Sequence, residues 1–272
     1  MDGIDNLSQL SPALMNNKHD LVKFHEYMLT CPEYKPNKSF TCGPFKDSEE
    51  WNIDPNGPTR YNINEYGFRG EWNLDLSRKI RIAVFGDSCT FGVGVDEEDT
   101  FVQHLNKMYP SYSLLNFGMV GSSIENIAKC YSVAKRVIEF DFALMLLPDH
   151  GRFCWPVYNH PIWQHTNLLP GPGLDPNNKE HLDYFKSNNE LLESNRTINY
   201  LNWINDIAID KTLSIWSWSK ETNNIIEQVM PESVFANIDP KIVETDHARD
   251  HQHPGPKTHK RIAEYWYESL EF

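Results

Sequence analysis

The chain has 272 residues, 40% of them hydrophobic and 23% charged, so it is long enough to bury a sizeable core and too apolar to be disordered. Its 38 acidic residues against 25 basic ones give a formal net charge of -13, which repels phosphate backbones and anionic lipid surfaces and argues against nucleic acid as a partner. The first residues, MDGIDNLSQLSPALMNN, lack a basic start followed by an apolar run; the expectation is no signal peptide, no membrane span and a cytoplasmic location.

Cysteine usage points the same way. Cys31, Cys42, Cys89, Cys130 and Cys154 are odd in number and show no CxxC spacing, which predicts reduced thiols, with a Cys31–Cys42 bridge left open. No zinc spacing accompanies the histidines, so neither a metal nor another cofactor is expected.

In chain order, Leu21, Phe24, His25 and Met28 recur at helical spacing and predict an amphipathic helix over 18–30. From Cys31 to about Arg78 the sequence is dense in Pro, Gly, Asn and aromatics, the composition of an irregular segment. Residues 1–78 are therefore expected to form an extension packed on a main domain of residues 79–272. KIRIAVFG (79–86) is a β-branched apolar run ending in Gly, a buried parallel strand. A helix over 98–109, a strand over 113–118, a helix opening on Ser over 122–139 and a strand over 141–147 follow. TLSIWSWS (212–219) predicts a further strand and 256–270 a closing helix. Residues 150–185 have no clear period and are expected to be an insertion or lid. Alternating strands and helices with short links require crossovers, hence a mostly parallel sheet with helices on both faces: a three-layer α/β/α sandwich.

In such a sheet ligands sit beyond the carboxyl ends of the strands. Behind the first core strand comes Gly86-Asp87-Ser88-Cys89-Thr90-Phe91-Gly92, a small polar turn that would expose Ser88 and free backbone N–H groups able to stabilise an oxyanion. A plain Gly-rich turn, or one that holds phosphate, is the alternative, but no Gly-Lys-Ser/Thr follows. A serine nucleophile needs a base, itself oriented by a carboxylate. Asp250 and His253 lie three apart just before the last helix and supply both.

IAVFGDSCTFGVGV resembles the first block of the GDSL/SGNH hydrolases, NFGMVGSS (116–123) their second, and DHQHPGPKTHKRIAEY (250–265) their last; Asn64–Gly70, NEYGFRG, is similar to a lead-in of many bacterial members. The resemblance implies a flavodoxin-like sandwich and a serine esterase acting through an acyl-enzyme on a small-molecule or carbohydrate ester, O-acetyl sugars among them. It also implies a Ser88, His253 and Asp250 triad, with Ser88 and Gly121 N–H groups in the oxyanion hole. An O-acyltransferase, or a weakened binding protein, is the alternative. The third block departs from the family pattern: where Gly-x-Asn-Asp is usual, this chain reads Pro148-Asp149-His150-Gly151-Arg152 and has no Asn to donate the last oxyanion hydrogen bond. An ionised Asp149 would repel an oxyanion, which leaves His150, Arg152 or Asn159 as substitute donors. His247 and His251 compete with His253 as base. His259 reads as a structural helix residue, and Trp155, Trp163, Trp216 and Trp218 as core or lid packing with a sugar-binding wall as the alternative.

Overall fold

The computed structural model describes residues 37–42, 59–72, 74, 80–157, 164–168, 190–208, 212–233, 245–249 and 253–269. Ahead of the main sheet, β1 (Ser39–Cys42) and β2 (Thr59–Asn62) pair antiparallel. Then strand and helix alternate: β3 (Ile80–Gly86), the single turn α1 (Ser88–Phe91), α2 (Phe101–Met108), β4 (Tyr112–Gly118), α3 (Ile124–Val137) and β5 (Phe142–Leu147). An antiparallel pair, β6 (Phe153–Val157) and β7 (Gln164–Leu168), is followed by α4 (Glu190–Ala208), β8 (Thr212–Ser217), α5 (Lys220–Val229) and α6 (Pro256–Ser269).

Strands β4, β3, β5 and β8 lie side by side in that order, all parallel. Because side chains alternate along a strand, each strand serves both faces of the sheet. Ala83, Phe85, Leu115, Phe117, Met145 and Ile215 join α3, α4 and α5 in one apolar cluster. Ile82, Val84, Leu114, Leu144, Leu146 and Trp216 join α2 and α6 in another. The result is the expected α/β fold, a parallel sheet between two helical layers. Each fully buried aromatic ring stabilises it by about 2 kcal/mol. The helices start where side chains cap them: Thr100, Ser123 and Ser219 accept from the N–H groups of Gln103, Asn126 and Thr222.

Several elements went unread in the sequence, among them α5 and the β1–β2 pair, which lies in the stretch read as irregular. Helix α4 is rich in Asn and has little overall amphipathic contrast, yet Thr197, Leu201, Ile204 and Ala208 form a stripe four, three and four residues apart that packs toward the core. The β6–β7 pair falls inside the stretch read as an insertion without period. The helix expected over 18–30 lies outside the described residues.

Candidate active site

Chain order makes β3 the first core strand, with β4 on one side and β5 on the other. The loop after β3 leaves toward β4 and the loop after β5 leaves toward β8, so the connections part between β3 and β5, the place where such sheets take ligands. Ser88 stands at the end of β3 there. Asp87 caps the turn: its Oδ1 accepts from Cys89 N–H at 2.9 Å. The Ser88 carbonyl accepts from the N–H groups of Gly92 at 2.9 Å and Val93 at 3.1 Å, with Gly92 in the left-handed region at φ 83°. From β4, Asn116 donates to the Thr90 carbonyl at 3.0 Å and accepts from Gly118 N–H at 2.8 Å. The turn sits so close to β4 that a Cβ on Gly118 would come within 2.2 Å of Phe91 N, so only glycine fits there.

The last loop meets this turn. His253 Nε2 and Ser88 Oγ lie 2.9 Å apart, with Ser88 6% exposed and His253 half-buried. The loop is closed at its base: Gly255 N–H donates to the Asp246 carbonyl at 3.0 Å, and Ala248 N–H donates to the His253 carbonyl at 2.8 Å. Asp246 also caps α6 from outside the helix, accepting from Lys257 N–H at 3.0 Å and Thr258 N–H at 2.8 Å. A Cβ on Gly255 would fall 2.5 Å from the His247 carbonyl oxygen, which explains glycine beside Pro254.

Two arginines hold the Ser88 turn and the loop after it against the rest. Arg69, 1% exposed, donates to the carbonyls of Phe91 at 3.0 Å, Gly92, and Val95 at 2.7 Å, and its guanidinium lies over the Tyr61 ring at 4.7 Å. Asn64 shapes the segment that delivers it, accepting from the N–H groups of Tyr66 and Phe68 and donating to the Gly70 carbonyl. Arg249 forks onto both carboxylate oxygens of Asp96, at 2.9 and 2.5 Å, and its N–H donates to the Gly94 carbonyl at 3.2 Å. The loop bearing His253 is thereby tied to the loop that follows Ser88. Sequence reasoning missed Asp96, Asp246 and Arg249, because no local pattern marks contacts made across the chain; Arg69 sits in a quoted motif, but nothing local says what it touches.

The remaining candidates fall in different places. Gly121 stands after β4 at φ 75°, and among the described residues neither its N–H nor that of Ser88 has an acceptor. Arg152 Nη1 donates to Asp87 Oδ2 at 2.7 Å and to the Ser122 carbonyl at 3.3 Å. His150 turns toward α5: its N–H donates to Thr222 Oγ1 at 2.8 Å, and its Nδ1 lies 3.5 Å from the same oxygen. Asp149 Oδ1 accepts from Gly151 N–H at 2.8 Å and shapes the turn. Asp250, His251, Asn159 and Trp163 lie outside the described residues. His247 is exposed. Trp216 is buried and Trp218 packs on it at 4.9 Å between ring centroids.

His259 is buried under the site and accepts from Phe101 N–H on Nδ1 at 3.1 Å. Burial first, and the Arg69 charge second, lower its pKa from 6.5 to about 3. A ring that accepts on Nδ1 is neutral, which fits both causes. Among the described residues no cluster of His, Cys, Asp and Glu could hold a metal ion, and no helix is long and apolar enough to cross a membrane.

No family model and no curated protein matches the sequence. Among solved structures, a member of the lipolytic G-D-S-L family from Veillonella parvula DSM 2008 is 14% identical with a TM-score of 0.44, covering 71% of this chain and 98% of its own. A carbohydrate acetylesterase family member from Sinorhizobium meliloti is 10% identical with a TM-score of 0.45, covering 70% and 96%. TesA is 10% identical with a TM-score of 0.46, covering 70% and 98%. The chain is thus similar to solved structures described as lipolytic proteins of the G-D-S-L family and as esterases.

Proposed function

We propose that this chain is a serine hydrolase of the GDSL/SGNH type that cleaves carboxylic esters. The observation that carries the reading is the 2.9 Å contact between His253 Nε2 and Ser88 Oγ beyond the carboxyl ends of a parallel sheet. In this mechanism Ser88 donates its proton to His253 as its oxygen attacks the ester carbonyl, and Asp250 orients the imidazole and stabilises its charged form. The N–H groups of Ser88 and Gly121 hold the oxyanion. The imidazolium then protonates the leaving alcohol, and water, deprotonated by His253, releases the acyl group and frees Ser88. The loop Pro148-Asp149-His150-Gly151-Arg152 has no Asn to donate the last oxyanion hydrogen bond, which costs roughly 100- to 1000-fold in turnover where nothing replaces it. Acetylated sugars are the first substrates to try.

The test is release of p-nitrophenol from acetyl to decanoyl esters, and of acetate from acetylated sugars, by wild type and Ser88→Ala. Labelling of Ser88 by a fluorophosphonate reads the nucleophile independently of substrate fit. Wild-type turnover and labelling that vanish in Ser88→Ala support the reading; a wild type no faster than the variant on every substrate, and unlabelled, defeats it.

A further inference from the structure

The third strand-end loop lacks the Asn that its family resemblance calls for, yet it sends one side chain to both of the other loops. The turn after β5 is held at both ends: Arg152 N–H donates to the Asp149 carbonyl at 3.0 Å, and His150 N–H donates to Thr222 on α5 at 2.8 Å. From this anchored turn Arg152 reaches the end of β3, pairing at 2.7 Å with Asp87, whose side chain is 4% exposed. The same Nη1 reaches the Ser122 carbonyl, the residue after Gly121, at 3.3 Å. Asp87 divides its two oxygens: Oδ1 accepts from Cys89 N–H and so shapes the turn on Ser88, while Oδ2 takes the guanidinium.

Two physical consequences follow. A buried carboxylate beside a developing oxyanion would oppose it, and a guanidinium 2.7 Å away offsets that charge. A cation shared between Asp87 and Ser122 also sets the spacing of the loops that carry the Ser88 and Gly121 N–H groups. We propose that Arg152 is a positioning residue which, acting through Asp87, holds the nucleophile turn and the two backbone donors in register in place of the missing third-block Asn. The inference rests on the hydrolase reading above. Arg152 gives no hydrogen bond of its own to the oxyanion.

The experiment compares wild type, Arg152→Gln, Arg152→Lys, Asp87→Asn and the Asp87→Asn/Arg152→Gln double variant. Its readouts are kcat and KM on p-nitrophenyl acetate, the rate of fluorophosphonate labelling of Ser88, and the thermal midpoint. Arg152→Gln is expected to lower kcat and the labelling rate roughly 100-fold with KM within about threefold, the signature of displaced reacting groups rather than lost binding. Arg152→Lys keeps the charge and should recover about tenfold of that loss. In the Asp87→Asn background, Arg152→Gln should cost less than about fivefold, because the residue through which it acts is already neutral. The lysine and Asp87→Asn variants carry the test should Arg152→Gln not fold. A wild-type labelling rate in folded Arg152→Gln overturns the inference and leaves the hydrolase reading standing. Equal losses with and without Asp87 would make Arg152 a direct donor and overturn it too. An unlabelled wild type defeats the hydrolase reading and the inference with it.

Discussion

His253 Nε2 stands 2.9 Å from Ser88 Oγ across 165 residues of chain, and the two loops concerned are joined by the Arg249 fork on Asp96. Neither side chain belongs to a regular strand or a long helix. Their approach depends on loops held by polar contacts, the Arg69 set buried and the Arg249–Asp96 fork partly so, and those contacts make the expected outcomes below specific.

On the proposed mechanism, replacing His253 with Gln should lower kcat about 10⁴-fold on any ester the wild type cleaves, because Ser88 would lose its base. The thermal midpoint should move little, since the ring is half-buried and its backbone contacts with Ala248 remain. Steady-state kinetics beside calorimetry check this pair of outcomes.

Arg69→Leu should destabilise the fold by about 3 kcal/mol, since the carbonyls of Phe91, Gly92 and Val95 lose their donor inside the core. The same change should slow labelling of Ser88, because those carbonyls belong to the loop that closes its turn. Urea denaturation and labelling rates measure the two effects; a stability within 0.5 kcal/mol of wild type, about the scatter of surface substitutions, would contradict the buried role.

Asp246→Ala removes the external cap on α6 and frees the base of the His253 loop. The cost should be about 1–2 kcal/mol, typical of a lost N-terminal cap. Turnover should fall in parallel, whereas Asp246→Asn, which keeps an acceptor oxygen, should recover most of the stability. Denaturant midpoints of the two variants separate these outcomes.

His259 makes stability depend on pH in a defined sense. Its folded pKa, about 3, lies below the ordinary 6.5, so in this interval the unfolded chain binds a proton that the folded chain does not. The stability it contributes is present above pH 6.5 and is lost as pH falls toward 3. Urea midpoints recorded from pH 7 to 4 should therefore decline more steeply in wild type than in His259→Gln, whose amide oxygen can still accept from Phe101 N–H. Parallel slopes would remove His259 from the account.

The core strands and several helices were legible because burial imposes a short-range pattern. KIRIAVFG and DFALMLL are apolar on both faces, and Ser123 marks the start of α3 with a local hydrogen bond. Helix α4 escaped because its buried stripe includes Thr197 and its other faces carry Leu, Ile, Tyr and Trp among the Asn residues, so the stripe stands out only once α3 and α5 lie against it. The candidate nucleophile and base were legible for a different reason: each sits in a compact run whose Gly and Pro residues meet local backbone demands. Gly118, by contrast, is glycine because of Thr90 and Phe91, far back along the chain.

By itself the sequence determined the parallel α/β fold and pointed to Ser88 and His253 as candidates, since strand burial, capping and turn chemistry act over a few residues. Only the tertiary structure decided that Arg69 and Arg249 bind the loop that follows Ser88 and that Arg152 turns to Asp87 and Ser122. Those contacts join separate strand-end loops, and a cation buried in a fold chooses its partner by three-dimensional proximity and desolvation, which no local spacing encodes.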